Sequence, residues 1–316
     1  MTRSDNHAHP FPGVIRIEPA SACTLRCRHC PTGTVAMPRG IMPWPTFEKI
    51  VADLEPHRDA LRVAVLYHGG EPLLNKEVFR MVEVLKSSLG IGFVKMVSNG
   101  MLLDQSCRDQ ILTCGIDSVE VSVDGRSPAE NDHIRRGACF PQIAANVRSL
   151  LASRTATGSA KPQVILSSTQ FLDPDALSSH AEEAPLAPPP PAWLLEAFVE
   201  AAPDEIKTTW AMRWPEMAVE APLQVATQPG QPARYCDHLV STLTIRWDGN
   251  VVPCCYDLTS SCVVGNVHAE SLGDIWTGSR MAELRAAVAA GRPLAPCAHC
   301  SHLGPTRYLV AEGELA

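Results

Sequence analysis

Seven of the twelve cysteines in this 316-residue chain stand in two groups with metal-site spacing. The first is Cys23-Thr-Leu-Arg-Cys27-Arg-His-Cys30. The second is Cys236, Cys254 and the pair Cys297-Ala-His-Cys300. Clustered thiolates are soft ligands that select zinc or iron–sulfur clusters. Four complete the protein ligation of a [4Fe–4S] cluster, whereas three leave one iron open to another ligand. The first group therefore reads as a reactive centre and the second as a closed one. Zinc is the competing occupant. His29 would be the nearest fourth ligand in the first group, and a Cys₄ set suits tetrahedral zinc.

The elements that must position these thiols are legible in the hydrophobic pattern. Short β-branched runs at 14–17, 62–67, 93–97, 118–122, 164–166 and 206–210 alternate with helical apolar spacing at 44–61, 78–89, 107–113 and 143–152. Strands separated by helices argue for a parallel α/β sheet with its reactive loops at the carboxyl ends of the strands. The Pro-containing stretch 181–192 reads as a surface insertion, and the Pro/Gln-rich stretch 217–233 as a linker. Beyond it, 242–247 and 250–253 flank an Asp248-Gly249 turn and read as a hairpin. A further strand is expected at 263–267, a helix at 272–290 and a cysteine-bearing loop at 293–302.

Hydrophobic residues make up 45% and charged residues 19%, as in a globular protein with room for one large domain and a small one. A net charge of -7 without a basic run argues against nucleic acid as a partner. No apolar run reaches membrane-spanning length. The polar segment 1–12 lacks the apolar core of a signal peptide. A cytoplasmic location is expected, where clustered cysteines serve metal or redox chemistry rather than disulfides.

The Cys23-x₃-Cys27-x₂-Cys30 motif, placed just after the first strand, resembles the cluster loop of the radical S-adenosylmethionine (SAM) superfamily. Four further segments carry the resemblance: Tyr67-His-Gly69-Gly70-Glu71-Pro72, Ser98-Asn99-Gly100, Ser122-Val-Asp124-Gly125 and His133-Ile-Arg135-Arg136-Gly137. It implies an α/β fold, a partial (β/α)6 TIM-type barrel over 14–215 preceded by a short tail at 1–13. It implies a [4Fe–4S] cluster bound to SAM, which yields a 5′-deoxyadenosyl radical on one-electron reduction by flavodoxin or ferredoxin. Gly69, Gly70, Glu71, Asn99, Ser122 and Arg135 become the cofactor-binding candidates. Position 29 is often aromatic in the family, and His29 still offers a flat ring. After a linker at 216–235, residues 236–316 are similar to the auxiliary-cluster domain called SPASM or, in its short form, twitch. The carriers are Trp247-Asp-Gly-Asn-Val-Val-Pro-Cys254-Cys255-Tyr-Asp257 and Gly265-Asn-Val267…Ile275-Trp276. No cysteine follows Cys300, so the ligands suffice for one auxiliary [4Fe–4S] cluster, on Cys236, Cys254, Cys297 and Cys300. The spacing is most similar to aminocyclitol dehydrogenases and to epimerases of antibiotic sugars.

Five cysteines remain. Cys107 and Cys114 fit core packing on one helix. Cys139, Cys255 and Cys262 are placed near the expected barrel mouth or the auxiliary site, where a thiol can return a hydrogen atom to a substrate radical. Packing is the ordinary use of each one singly. The expected function is hydrogen-atom abstraction from a small carbohydrate-like substrate, a sugar or aminocyclitol unit of a secondary metabolite, followed by epimerisation. Carbinol dehydrogenation with the auxiliary cluster as electron acceptor is the alternative, and ribosomal-peptide maturation a third possibility. Arg136, His68, His133, Trp210 and Trp214 are candidate pocket residues.

Overall fold

The computed structural model describes residues 9–173, 187–231 and 233–311. Six parallel strands form its centre: β1 (Val14–Ile17), β2 (Val63–Leu66), β3 (Phe93–Ser98), β4 (Ser118–Ser122), β5 (Gln163–Gln170) and β6 (Glu205–Trp210), paired in chain order. Each of the first four crossovers carries helix: α1 (Pro31–Thr34) with α2 (Trp44–Leu54), α3 (Val78–Ser87), α4 (Gln105–Thr113), and α5 (Pro128–Ile134) with α6 (Phe140–Ala156). Alternation decides which way each strand faces. Ile15, Ile17, Val94, Met96, Val119 and Val121 are buried against the helices, while Arg16, Lys95 and Glu120 between them line a cavity inside the curved sheet. The helices run somewhat longer or shorter than the periodicity suggests. The segment expected as one helix at 272–290 is two, Leu272–Thr277 and Ser279–Ala289, parted at Gly278.

The C-terminal region continues the same sheet. β8 (Thr242–Ile245) pairs in parallel with β1, Ile15 opposite Leu243. β9 (Asn250–Val252) folds back antiparallel through Asp248-Gly249, where Gly249 takes a φ of 82° that an L side chain rarely adopts. The strand expected at 263–267 is reduced to β10 (Gly265–Asn266), which completes the nine-stranded order β10-β9-β8-β1-β2-β3-β4-β5-β6. The Pro/Gln-rich stretch read as a linker holds a real strand, β7 (Leu223–Gln228), antiparallel to β11 (Thr306–Ala311). β11 also bridges to Leu172 after β5 and Met212 after β6, so the end of the chain is tied to the carboxyl ends of the barrel strands. The expected insertion lies mostly outside the described residues; its end at 187–191 leads into a helix, Ala192–Ala197. Among the described residues no helix is long and apolar enough to cross a membrane.

Candidate active site and auxiliary cysteine site

The Cys23–Cys30 loop closes the carboxyl end of the barrel because several elements hold it. Arg26 and Arg28 donate backbone N–H bonds of 2.9 Å to the carbonyls of Arg136 and Ile134, clasping the loop to the end of α5. The Gly69-Gly70 turn after β2 presses against its base. Gly69 N–H donates to Glu18 Oε1 at 2.9 Å, and Glu71 N–H to the Ala22 carbonyl at 2.8 Å. A Cβ at Gly70 would stand 2.3 Å and 2.4 Å from the carbonyl oxygens of Ala20 and Ala22. The two glycines thus let the chain approach itself, a use the motif alone did not reveal.

The Glu71 carboxylate accepts from Leu73 N–H (3.1 Å), Ser98 Oγ (3.0 Å) and Asn99 N–H (2.8 Å), which ties the end of β2 to the end of β3. Most of its accepting capacity is used within the chain. Burial pushes its pKa up, against these hydrogen bonds. Asn99 Nδ2 donates to Thr24 Oγ1 at 2.9 Å and lies 3.8 Å from Cys23 Sγ. Asp124 lies 2.6 Å from Arg135 Nη1 and 3.3 Å from His29 Nε2, and accepts from Thr169 N–H at 2.8 Å. Burial alone would raise its pKa, yet the charges of Arg135 and His29 hold it below the usual carboxylate range. Arg135 is therefore buried rather than solvated, with Nε unpartnered beside the cysteine loop. Arg136 instead reaches Glu220 at 3.0 Å on the surface. His29 meets Phe171 edge-on.

Cys23, Cys27 and Cys30 open with Gly69, Gly70, Asn99, Ser122 and Arg135 onto one cavity of about 410 Å³. Burial raises the Cys23 thiol, and pushes Cys27 to about 12 with Arg135 opposing. Trp210 and Trp214 form part of the far wall with Tyr256. His68 also lines it; its Nε2 is 3.3 Å from the Asp257 carbonyl, its Nδ1 is unpartnered, and burial pushes its pKa down to about 3. His133 stays outside the lining, its backbone carbonyl accepting from Arg28.

The second group converges elsewhere. Cys236 precedes a short helix, Asp237–Ser241; Cys254 follows β9; Cys297 and Cys300 begin and cap a 3₁₀ turn. All four are buried and line one small cavity with His238, Tyr256, His302 and apolar neighbours. Burial raises all four thiols, Cys297 to about 12. Among the described residues no three His, Cys, Asp or Glu side chains are close enough to share one metal ion. Cluster thiolates each bind a separate iron, so they stand farther apart than the ligands of one ion. The two groups, three half-buried thiols at a roomy cavity and four buried thiols at a small one, suit a reactive and an auxiliary cluster respectively.

Of the candidate hydrogen donors, Cys139 is exposed at the start of α6. Cys262 donates its N–H to Asp257 at 2.9 Å and feels Arg280 and Glu283, away from the cavity. Cys255 sits 4.0 Å from His238 Nδ1, and burial raises its thiol pKa with Arg16, a cavity-lining residue, opposing. Cys114 is buried and Cys107 packs against the core.

Sequence reading missed Glu18, buried where β1 ends. It accepts from Arg246 Nε and Trp247 N–H, both at 3.2 Å, as well as from Gly69, so one carboxylate joins the turns after β1, β2 and β8. A lone glutamate after a strand carries no local signal of this.

Comparison with known proteins agrees with the two groups. Residues 17–157 match the family model of the radical SAM superfamily, and residues 236–301 match SPASM, an iron–sulfur cluster-binding domain. These families bring a [4Fe–4S] cluster with SAM and auxiliary iron–sulfur binding. A GTP 3′,8-cyclase of Chlorobaculum tepidum is 29% identical over 148 residues, 45% of this chain and 42% of that protein, so the chain spans less than half its length. A Pyrococcus furiosus protein, the tungsten-containing aldehyde ferredoxin oxidoreductase cofactor-modifying protein, is 25% identical over 301 residues, 84% of this chain and 80% of that one. The crystal structure of BtrN in complex with AdoMet and 2-DOIA matches in fold, with TM-score 0.56 and 17% identity over 89% of this chain and 88% of that one.

Proposed function

We propose that this chain, which carries a radical SAM domain followed by a SPASM domain, inverts a carbon centre of a small sugar or aminocyclitol unit, with Cys255 as hydrogen donor. Cys23, Cys27 and Cys30 would hold the cluster, which with SAM would supply the radical chemistry for abstraction of a substrate hydrogen. The buried Asp124–Arg135–His29 network and the Gly70 contact keep that loop in one position. The same cavity of about 410 Å³ would take SAM and the substrate together, which favours a small substrate. The observation that carries epimerisation is the place of Cys255, next in the chain to Tyr256, which lines the cavity, and 4.0 Å from His238 Nδ1. Its S–H bond breaks as a C–H bond forms on the opposite face. The sulfur radical left behind regains hydrogen as one electron, from a flavodoxin or ferredoxin, and one solvent proton.

One observation favours carbinol dehydrogenation as a second reading. Tyr256 lines both cavities and lies 4.9 Å from Trp214, so substrate and auxiliary cysteines share a wall. A substrate radical there would lose a proton and one electron to the auxiliary cluster, and no hydrogen would return. Turnover in D₂O separates the two. Epimerisation places deuterium on the inverted carbon and loses it in Cys255→Ala. An oxidised product without deuterium ends that reading and supports the second.

A further inference from the structure

Arg16 places a guanidinium at the cavity with no anion to meet it. Its neighbours Ile15 and Ile17 are fully buried on the outer face of β1, so strand alternation turns Arg16 inward. Its hydrogen bond is a long one, 3.4 Å from Nη1 to the Tyr67 carbonyl, and Nε is buried without a partner. No carboxylate among the described residues lies within ion-pair distance of it. The other charges of the cavity are already matched. Asp124 holds Arg135 at 2.6 Å. Glu120 holds Lys95 at 3.3 Å and Lys207 at 4.0 Å, and Lys207 also reaches Glu205 at 3.8 Å. Glu71 is engaged by the chain's own donors. The guanidinium stands 5.9 Å from the centroid of the Tyr67 ring, and His68, which burial keeps neutral, lines the same cavity.

A buried guanidinium Nε without a partner is costly, and a guanidinium fork matches the two oxygens of a carboxylate or phosphate. We propose that the substrate carries an anionic group, carboxylate or phosphate ester, bound by Arg16, while the wall of Trp210, Trp214 and Tyr256 takes its ring. The inference rests on the reading of this cavity as the substrate site. It narrows that reading, because the ammonium groups of an unmodified aminocyclitol would meet the like charge of Arg16.

The test is isothermal titration of the holoenzyme, carrying both clusters and SAM, with glucose, glucosamine, glucuronate and glucose 6-phosphate. At least one anionic probe is expected to bind about tenfold more tightly than glucose and glucosamine. Tighter glucuronate identifies a carboxylate, and tighter glucose 6-phosphate a phosphate. Arg16→Gln is expected to remove the preference and Arg16→Lys to keep part of it. Should Arg16→Gln fail to hold its full iron, Arg16→Lys reads the same effect, a weaker loss of about threefold. Glucosamine binding as tightly as the anions, no binding by either anion, or an unchanged preference in the folded variants overturns the inference. The radical reading fails separately, if wild-type enzyme reduced with dithionite makes no 5′-deoxyadenosine from SAM.

Discussion

Asp124 shows how much one side chain can decide. Its carboxylate serves Arg135, His29 and the Thr169 amide together, and both ends of the Arg135 pair are buried. Removing one partner of a buried ion pair strands the other charge, at a cost of about 3–5 kcal/mol. Asp124→Asn should therefore lower the urea midpoint of unfolding at neutral pH. The sign of the pH dependence follows from the depressed pKa of Asp124 in the folded state. The stabilisation is fully present above the ordinary aspartate value of about 3.9 and is lost as the pH falls through the lower folded value. The gap between wild type and variant should narrow on acidification. A constant gap from neutral to acidic pH would mean that the Asp124 charge is not what stabilises the loop.

At the scale of elements, the strand-end turns do the positioning. Gly70 meets backbone carbonyls, which cannot swing away as a side chain can. Gly70→Ala should push the Gly69-Gly70 turn off the cysteine loop. Displacing reactive groups by about 1 Å costs roughly a hundredfold in rate, so 5′-deoxyadenosine formation should fall by about that factor while the circular dichroism spectrum stays that of the wild type. Full activity in Gly70→Ala would show that the loop tolerates the shift. The order of these turns was legible in the sequence because β1 to β5 are apolar runs with sharp Gly or polar ends. The reason for Gly70 was not, since its partners lie some fifty residues earlier in the chain. β7 escaped for a related reason: Leu223-Gln-Val-Ala-Thr-Gln is half exposed and draws its order from pairing with β11 near the other end of the chain. The helix break at Gly278 left a signal, a glycine within an apolar-periodic run, that the periodicity outweighed.

At the scale of the whole molecule, the auxiliary region is built onto the barrel at its first strand. β8 covers the edge of β1, Arg246 pairs with buried Glu18, and Trp276 Nε1 donates to the Pro10 carbonyl at 2.9 Å. Ending the chain after residue 235 would remove all three and leave β7 without β11. It would strand the Glu18 carboxylate in the interior and expose an unpaired, apolar sheet edge, which is a template for aggregation. The truncated chain is expected in the insoluble fraction, without the cooperative unfolding of the full protein. A soluble, cooperatively folding 1–235 fragment would mean that the six barrel strands fold without the pairing of β8 to β1. That outcome bears on chemistry as well as stability. Tyr256, on the loop after β9, walls the cavity of the Cys23–Cys27–Cys30 loop on one side and the Cys236–Cys254–Cys297–Cys300 cavity on the other. Replacing Cys300 with serine in the full chain is the gentler probe: iron content should drop by about four atoms, the content of one cluster, while SAM cleavage at the Cys23–Cys27–Cys30 loop persists. Loss of both iron sets together would show that the seam couples the folding of the two sites, and retention of all the iron would remove Cys300 from the ligand set.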